Sequence, residues 1–176
     1  SIKMLKGVIN TFKQSKVEDR VFRYLRLNND LRCFLVSDQD VEKSAACLHV
    51  GVGSLYDPFH AQGLAHFLEH MLFLGTKKYP QENHYSEFIT KNGGSKNAAT
   101  GEDYTYYYFD IKNECFKEAV DIFSQFFKEP LFTESATHRE MNAVDNEYKK
   151  NLSEDGRRMY QFIKSIVVKE GSPLNQ

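Results

Sequence analysis

The 176 residues are 41% hydrophobic and 14% aromatic, enough apolar surface for one sizeable core, and the length favours a single folded unit. A formal charge of −1 offers no concentrated basic excess, which argues against nucleic acid or an acidic membrane as partner, and no apolar run approaches the roughly 20 residues of a membrane helix. Cys33, Cys47 and Cys115 are odd in number and form no C-x-x-C pair, so they predict neither a disulfide framework nor a cysteine-rich metal site, but three buried small hydrophobes in a reducing, cytoplasmic setting.

Residues 1–19 show little periodicity and read as an N-terminal arm. The first six residues lack a secretory apolar region, and a chain running from Ser1 to Gly171-Ser172-Pro173-Leu174-Asn175-Gln176 reads as a piece of something longer. From residue 20 to 176 one domain is expected. Arg20–Leu27 alternates in part, Asn28-Asn29-Asp30 supplies turn chemistry and Leu31–Val36 resumes an extended run, which together predict a hairpin. Ser44–Val52 predicts a third strand in a central position. A loop bracketed by Asp57-Pro58 and Gly63 leads into a short helix that ends at Gly75-Thr76, and a second helix is expected over about 81–92, with Tyr85, Phe88 and Ile89 as its apolar stripe. Ser95–Thr100 and Tyr104–Ile111 predict adjacent strands around a turn at Gly101-Glu102-Asp103. Beyond Asn113 the pattern is helical: a stripe of Phe116, Val120, Phe123 and Phe127, a break at Pro130, then helices over about 134–151 and 154–169. Strands with helices inserted and appended predict an α+β fold whose mostly antiparallel or mixed sheet packs against helices.

The chemistry concentrates in His66-Phe67-Leu68-Glu69-His70. At about 100° per residue, Leu64, Phe67, Leu68, Met71 and Leu72 form one stripe and His66, Glu69, His70 and Phe73 the opposite one. Two imidazoles four residues apart with a carboxylate between them predict a metal site, although paired histidines also arise by chance and can simply satisfy backbone acceptors. Further along, Glu140, Ala143, Val144 and Glu147 share a helical stripe, so two acids lie on a partly apolar face. Burying a carboxylate without a partner is costly, and a cation in front of that face would relieve it; solvated or lysine-paired acids are the plainer alternative. Imidazole nitrogens suit zinc better than calcium or magnesium, and two His with one Glu leave a fourth tetrahedral position open for water. Zinc lowers the pKa of that water toward about 7, and Glu69, on the same helical turn, is placed to take its proton.

The H-x-x-E-H order is the inverzincin motif. Gly63 to Pro80, Gly94-Ser95-Lys96-Asn97-Ala98-Ala99-Thr100, Tyr107-Tyr108-Phe109-Asp110 and Arg139 to Asp145 together resemble the pitrilysin family of zinc metallopeptidases, over most of the chain from Tyr24 onward. The resemblance implies one zinc ion held by His66, His70 and Glu147, with Glu69 as general base and Glu140 as a supporting acid. It implies that Asn97 and Ala98 lie on a strand whose edge pairs with substrate backbone, and that Phe73 lines the pocket beside the scissile bond. Members of one branch of the family usually carry Phe where this chain has Ala99, which bears on pocket shape. Family enzymes are several times longer, and a C-terminal domain supplies an Arg and a Tyr that complete the site. The implied function is zinc-dependent hydrolysis of short to medium-sized peptides, with the remaining C-terminal domains, and in some cases a second copy of the chain, as partners. By itself this piece is expected to be weakly active or inactive. A non-catalytic pseudo-peptidase subunit of the same fold is the alternative; such subunits typically lose motif residues, and His66, Glu69, His70 and Glu147 are all present.

Overall fold

Val21–Leu27 (β2) and Arg32–Ser37 (β3) pair antiparallel as the expected hairpin, with Tyr24 opposite Phe34. Its turn is closed by Asp30 N–H donating to the Leu27 carbonyl (3.0 Å), and Asp30 takes φ +65, a left-handed conformation that Asn and Asp tolerate better than other side chains. The computed structural model describes residues 5–9, 13, 15–169, 171, 172 and 174. Leu5–Ile9, within the stretch read as an arm, is a strand (β1) on the other edge of β2. Backbone pairing to β2 supplies what the sequence pattern does not advertise. The chain divides into two units between Glu42 and Lys43, and this three-stranded sheet belongs to the first.

The second unit is built on Lys43–Val50 (β4), Ser95–Thr100 (β5) and Thr105–Lys112 (β6), all antiparallel in the order β4-β6-β5. The fold is therefore α+β with antiparallel sheets, as expected. The strand expected at the centre, β4, lies at an edge of this sheet, and β6 is central. The reason is chemical: β6 carries Tyr107, Phe109 and Ile111 inward, all buried, whereas β4 offers only small and medium residues to the core. Gly94 sets the close entry into β5, because a β-carbon there would meet the Asp110 carbonyl oxygen at 2.2 Å.

Among the described residues five helices follow the expected order: α1 (Leu64–Met71), α2 (His84–Lys91), α3 (Phe116–Gln125), α4 (Glu134–Asn151) and α5 (Asp155–Val167). Tyr85 and Ile89 of α2, Ala119, Ile122 and Phe123 of α3, and Phe126 close over the inner face of the sheet around Phe109. The rings interlock edge-on, Phe109 with Phe123 at 5.3 Å and Tyr85 with Phe126 at 4.9 Å. Two expected stripes are rotated. On α3 the core face is Ala119, Ile122, Phe123 and Phe126, and Val120 is exposed; on α1, Leu64 and Leu68 are exposed while Glu69, Met71 and Leu72 are buried. A stripe chosen by hydrophobicity alone drew in flanking residues that the sheet does not reach. The cysteines also differ from expectation: all three are unpaired, Cys33 and Cys115 are half-buried, and Cys47 is exposed on β4. Among the described residues no helix is long and apolar enough to cross a membrane.

Candidate metal centre

The helix bearing the histidines starts without a capping side chain of its own. Its N-cap is Gly63, at φ +89, where a side chain would be strained. The orphan amides are met instead by Asp57, whose Oδ2 accepts from Gly63 N–H (2.8 Å) and whose Oδ1 accepts from Ala65 N–H (2.9 Å). A buried carboxylate at this end also opposes the positive end of the helix dipole. By sequence Asp57-Pro58 is loop punctuation, yet the Asp57 carboxylate fixes where α1 begins and hence where the next turns point. Asp57→Ala is expected to destabilise the second unit by about 2 kcal/mol, read as a lower urea midpoint with an unchanged slope.

One turn along α1, His66 and His70 bring their rings into edge-on contact, with Nε2 atoms 3.2 Å apart. The α4 helix packs across them. It is started by Thr133, whose hydroxyl oxygen accepts from Ala136 N–H (3.3 Å), and tied at Arg139 by paired hydrogen bonds to the Glu82 carboxylate (2.7 and 2.6 Å). Glu140 and Glu147, two turns apart, therefore face α1 together. Glu140 Oε2 lies 2.9 Å from His70 Nδ1, and Glu147 Oε2 lies 3.7 Å from His70 Nε2 and 3.8 Å from His66 Nε2. One ligand atom from each of His66, His70 and Glu147 falls within 4.8 Å of the other two.

The donor set fits a zinc-sized cation. Two Zn–N bonds of about 2.0–2.1 Å at a tetrahedral angle hold their nitrogens roughly 3.3 Å apart, close to the spacing of the two Nε2 atoms. A neutral His70 that gives its Nδ1 hydrogen to Glu140 presents a bare lone pair at Nε2. That lone pair faces a second imidazole nitrogen and a carboxylate, three donor atoms that a cation would bridge in place of the imidazole–imidazole hydrogen bond.

Glu69, between the two histidines in sequence, is buried at 9% exposed. Its Oε2 accepts the Thr100 hydroxyl hydrogen at 2.6 Å, linking α1 to the last residue of β5. Thr105, opposite Thr100 across the hairpin, donates its hydroxyl to the Val52 carbonyl (2.9 Å). Burial, and then the Glu69 charge, hold the Tyr107 phenol well above its ordinary pKa, so it stays neutral beneath the site. Thr100 was not singled out by sequence reasoning. The signal available was a hydroxyl at the end of an inward-facing Lys96, Ala98, Thr100 series.

A family model described as insulinase, peptidase family M16, matches residues 32–170. The chain belongs to the insulinase family. It is 48% identical over 161 residues to the insulin-degrading enzyme of Homo sapiens, covering 92% of this chain and 16% of that protein. It is 48% identical to the peroxisomal insulin-degrading enzyme-like 1 of Arabidopsis thaliana and 43% identical to the A-factor-processing enzyme of Saccharomyces cerevisiae, covering 92% and 89% of this chain and 16% and 15% of those proteins. The crystal structure of pitrilysin superposes with a TM-score of 0.86 at 38% identity, over 93% of this chain and 17% of that one. The chain thus spans about one sixth of the length of these insulinase-family relatives, and its family supports a peptidase-type function.

The remaining expected site residues are Phe73, just past α1, and three residues of β5. Phe73 packs its ring edge-on against Phe126 (5.4 Å) and tilted toward Tyr107 (6.2 Å). Asn97, Ala98 and Ala99 lie on β5, whose second edge carries no strand among the described residues.

Proposed function

We propose that this chain carries the metal-binding part of a zinc-dependent endopeptidase acting on peptides. The observation that carries the reading is the convergence of His66 Nε2, His70 Nε2 and a Glu147 oxygen within 4.8 Å, with a buried carboxylate on the same helix. In this reading His66, His70 and Glu147 hold one zinc ion. Glu140 orients His70 through Nδ1, and Glu69 accepts the proton of the attacking water. When bound, zinc supplies Lewis acidity that makes a water nucleophilic near neutral pH. The protein's part is to hold the two imidazoles in one tautomer and to keep Glu69 fixed on Thr100.

Substrate recognition is proposed at the open edge of β5, where an extended peptide adds as a fourth strand and backbone pairing tolerates many side chains. Ala98 N–H there donates to the Asn97 side-chain oxygen (3.0 Å), a local bond that an incoming carbonyl would replace. Ala99 leaves space beside that edge, and Phe73 is proposed to border the pocket at the scissile bond. A groove of about 630 Å³, lined in part by Leu64, His66, Phe67, Met141 and Val144, opens next to the ligands and suits apolar substrate side chains.

We also infer that these 176 residues alone turn over slowly. The side chains of His66, His70 and Glu147 are 33%, 28% and 43% exposed, so water is not excluded from the site and charge stabilisation there is screened. The test is metal analysis with turnover. The natural polypeptide carrying this sequence, at its full length, is expected to hold about one zinc per chain, to stop cleaving peptides after chelation and to recover on zinc return. Zinc-free protein that folds and cleaves normally would rule the reading out.

A further inference from the structure

Lys96 is the third inward-facing residue from the metal-side end of β5, and nothing in the site described above uses it. Its ammonium lies 4.8 Å from the Phe73 ring centroid and 6.0 Å from that of Tyr85. The side chain is half-buried, and burial alone pulls its pKa below the ordinary lysine value; no carboxylate among the described residues acts on it. A cation held by two aromatic faces and stripped of part of its water is under-compensated, because ring quadrupoles replace only part of what hydration or an anion supplies.

Its position relative to the candidate centre follows from the same two elements. Thr100 on β5 meets Glu69 on α1, and Lys96, four residues back on β5, meets Phe73, four residues on from Glu69. Strand and helix therefore run in opposite senses, and Lys96 meets the segment just past the C-terminal end of α1. A peptide added to the open edge of β5 sends alternate side chains to this same inner face. We propose that Lys96 is a specificity-determining residue that takes an acidic side chain, Asp or Glu, of an extended peptide bound along β5. This rests on the peptidase reading and narrows its substrate class. The aromatic pair keeps the ammonium from folding back to solvent, so the charge is presented along the peptide's path.

The test uses the natural polypeptide at full length, loaded with zinc, and a set of quenched fluorescent peptides. The peptides differ only by Glu, Gln or Lys at each of the four positions on either side of the cleaved bond. At one inward-facing position the Glu peptide is expected to exceed the Gln peptide in kcat/KM by roughly fivefold, falling with added salt, as for a partly screened ion pair. Lys96→Met, which keeps the apolar stem over Phe73, erases the difference, and Lys96→Glu turns it in favour of the Lys peptide. In parallel, binding of the Glu and Gln peptides to the Glu69→Gln variant, read by fluorescence anisotropy, shows the same roughly fivefold preference without any turnover. Equal handling of Glu and Gln at every position, or a preference that survives Lys96→Met, overturns the assignment. So does a full-length structure in which the polypeptide's own carboxylate already occupies the ammonium. Failure of the peptidase reading has a different signature: peptides are not cleaved by zinc-loaded protein, or cleavage is unchanged once zinc is removed.

Discussion

Replacing Glu69 with Gln is expected to cut peptide hydrolysis by roughly 100- to 10,000-fold, the range for loss of a positioned general base, while leaving bound zinc unchanged. In barrier terms that is about 3–5 kcal/mol. Gln is the informative substitution because its amide oxygen can still accept the Thr100 hydroxyl, and its volume fills the same buried space. What disappears is the ability to take a proton. The full-length polypeptide should therefore show wild-type zinc content and an unchanged thermal midpoint with turnover near background. Retained turnover with zinc in place would move the base elsewhere and leave Glu69 as a buried partner of Thr100.

The same residue shows why part of the site was legible in the sequence and part was not. His66, Glu69 and His70 are one helical turn of a single element, and local periodicity suffices to put the three on one stripe. Glu140 and Glu147 needed only one further step, because two acids seven residues apart must share a face of α4. Contacts between elements were not available that way. Thr100 reaches Glu69 across 31 residues, and Asp57, though only six and eight residues from its amides, caps α1 from outside the usual N-cap position, so neither contact follows from a local pattern.

The fold divides along the same line. The hairpin of β2 and β3, the aromatic strand β6 and helix α4 were expected nearly at their observed bounds, since turn residues and periodicity are local signals. The edge position of β4 depends on which strand presents the largest rings to the core, a comparison between segments some sixty residues apart. Leu64 and Leu68 were placed in the core stripe of α1 because they are apolar, but the sheet meets α1 along Glu69 and Leu72. A buried carboxylate, and not the two leucines, faces inward there, a departure from hydrophobic patterning of the kind proteins show at functional or strained sites.

Zinc affinity should fall in a definite order when the ring of side chains is dismantled, and the order separates ligands from supports. His70→Ala removes a donor whose Nε2 lies 3.2 Å from that of His66 and 3.7 Å from Glu147. Dividing the apparent 10–16 kcal/mol of a structural zinc site among four positions gives about 2.5–4 kcal/mol per ligand, or roughly 60- to 700-fold in affinity. Glu147→Gln is expected to approach that loss, since an amide oxygen is a neutral and poorer donor to zinc. Glu140→Gln should cost less, roughly 10- to 100-fold, because it leaves all three donor atoms and weakens only the hold on His70 Nδ1. Competition titration against a chelator, on folded protein of each variant, reads all three. Should Glu140→Gln lose more zinc than Glu147→Gln, the roles of the two acids are reversed, and the third donor is the carboxylate now assigned to orient the imidazole.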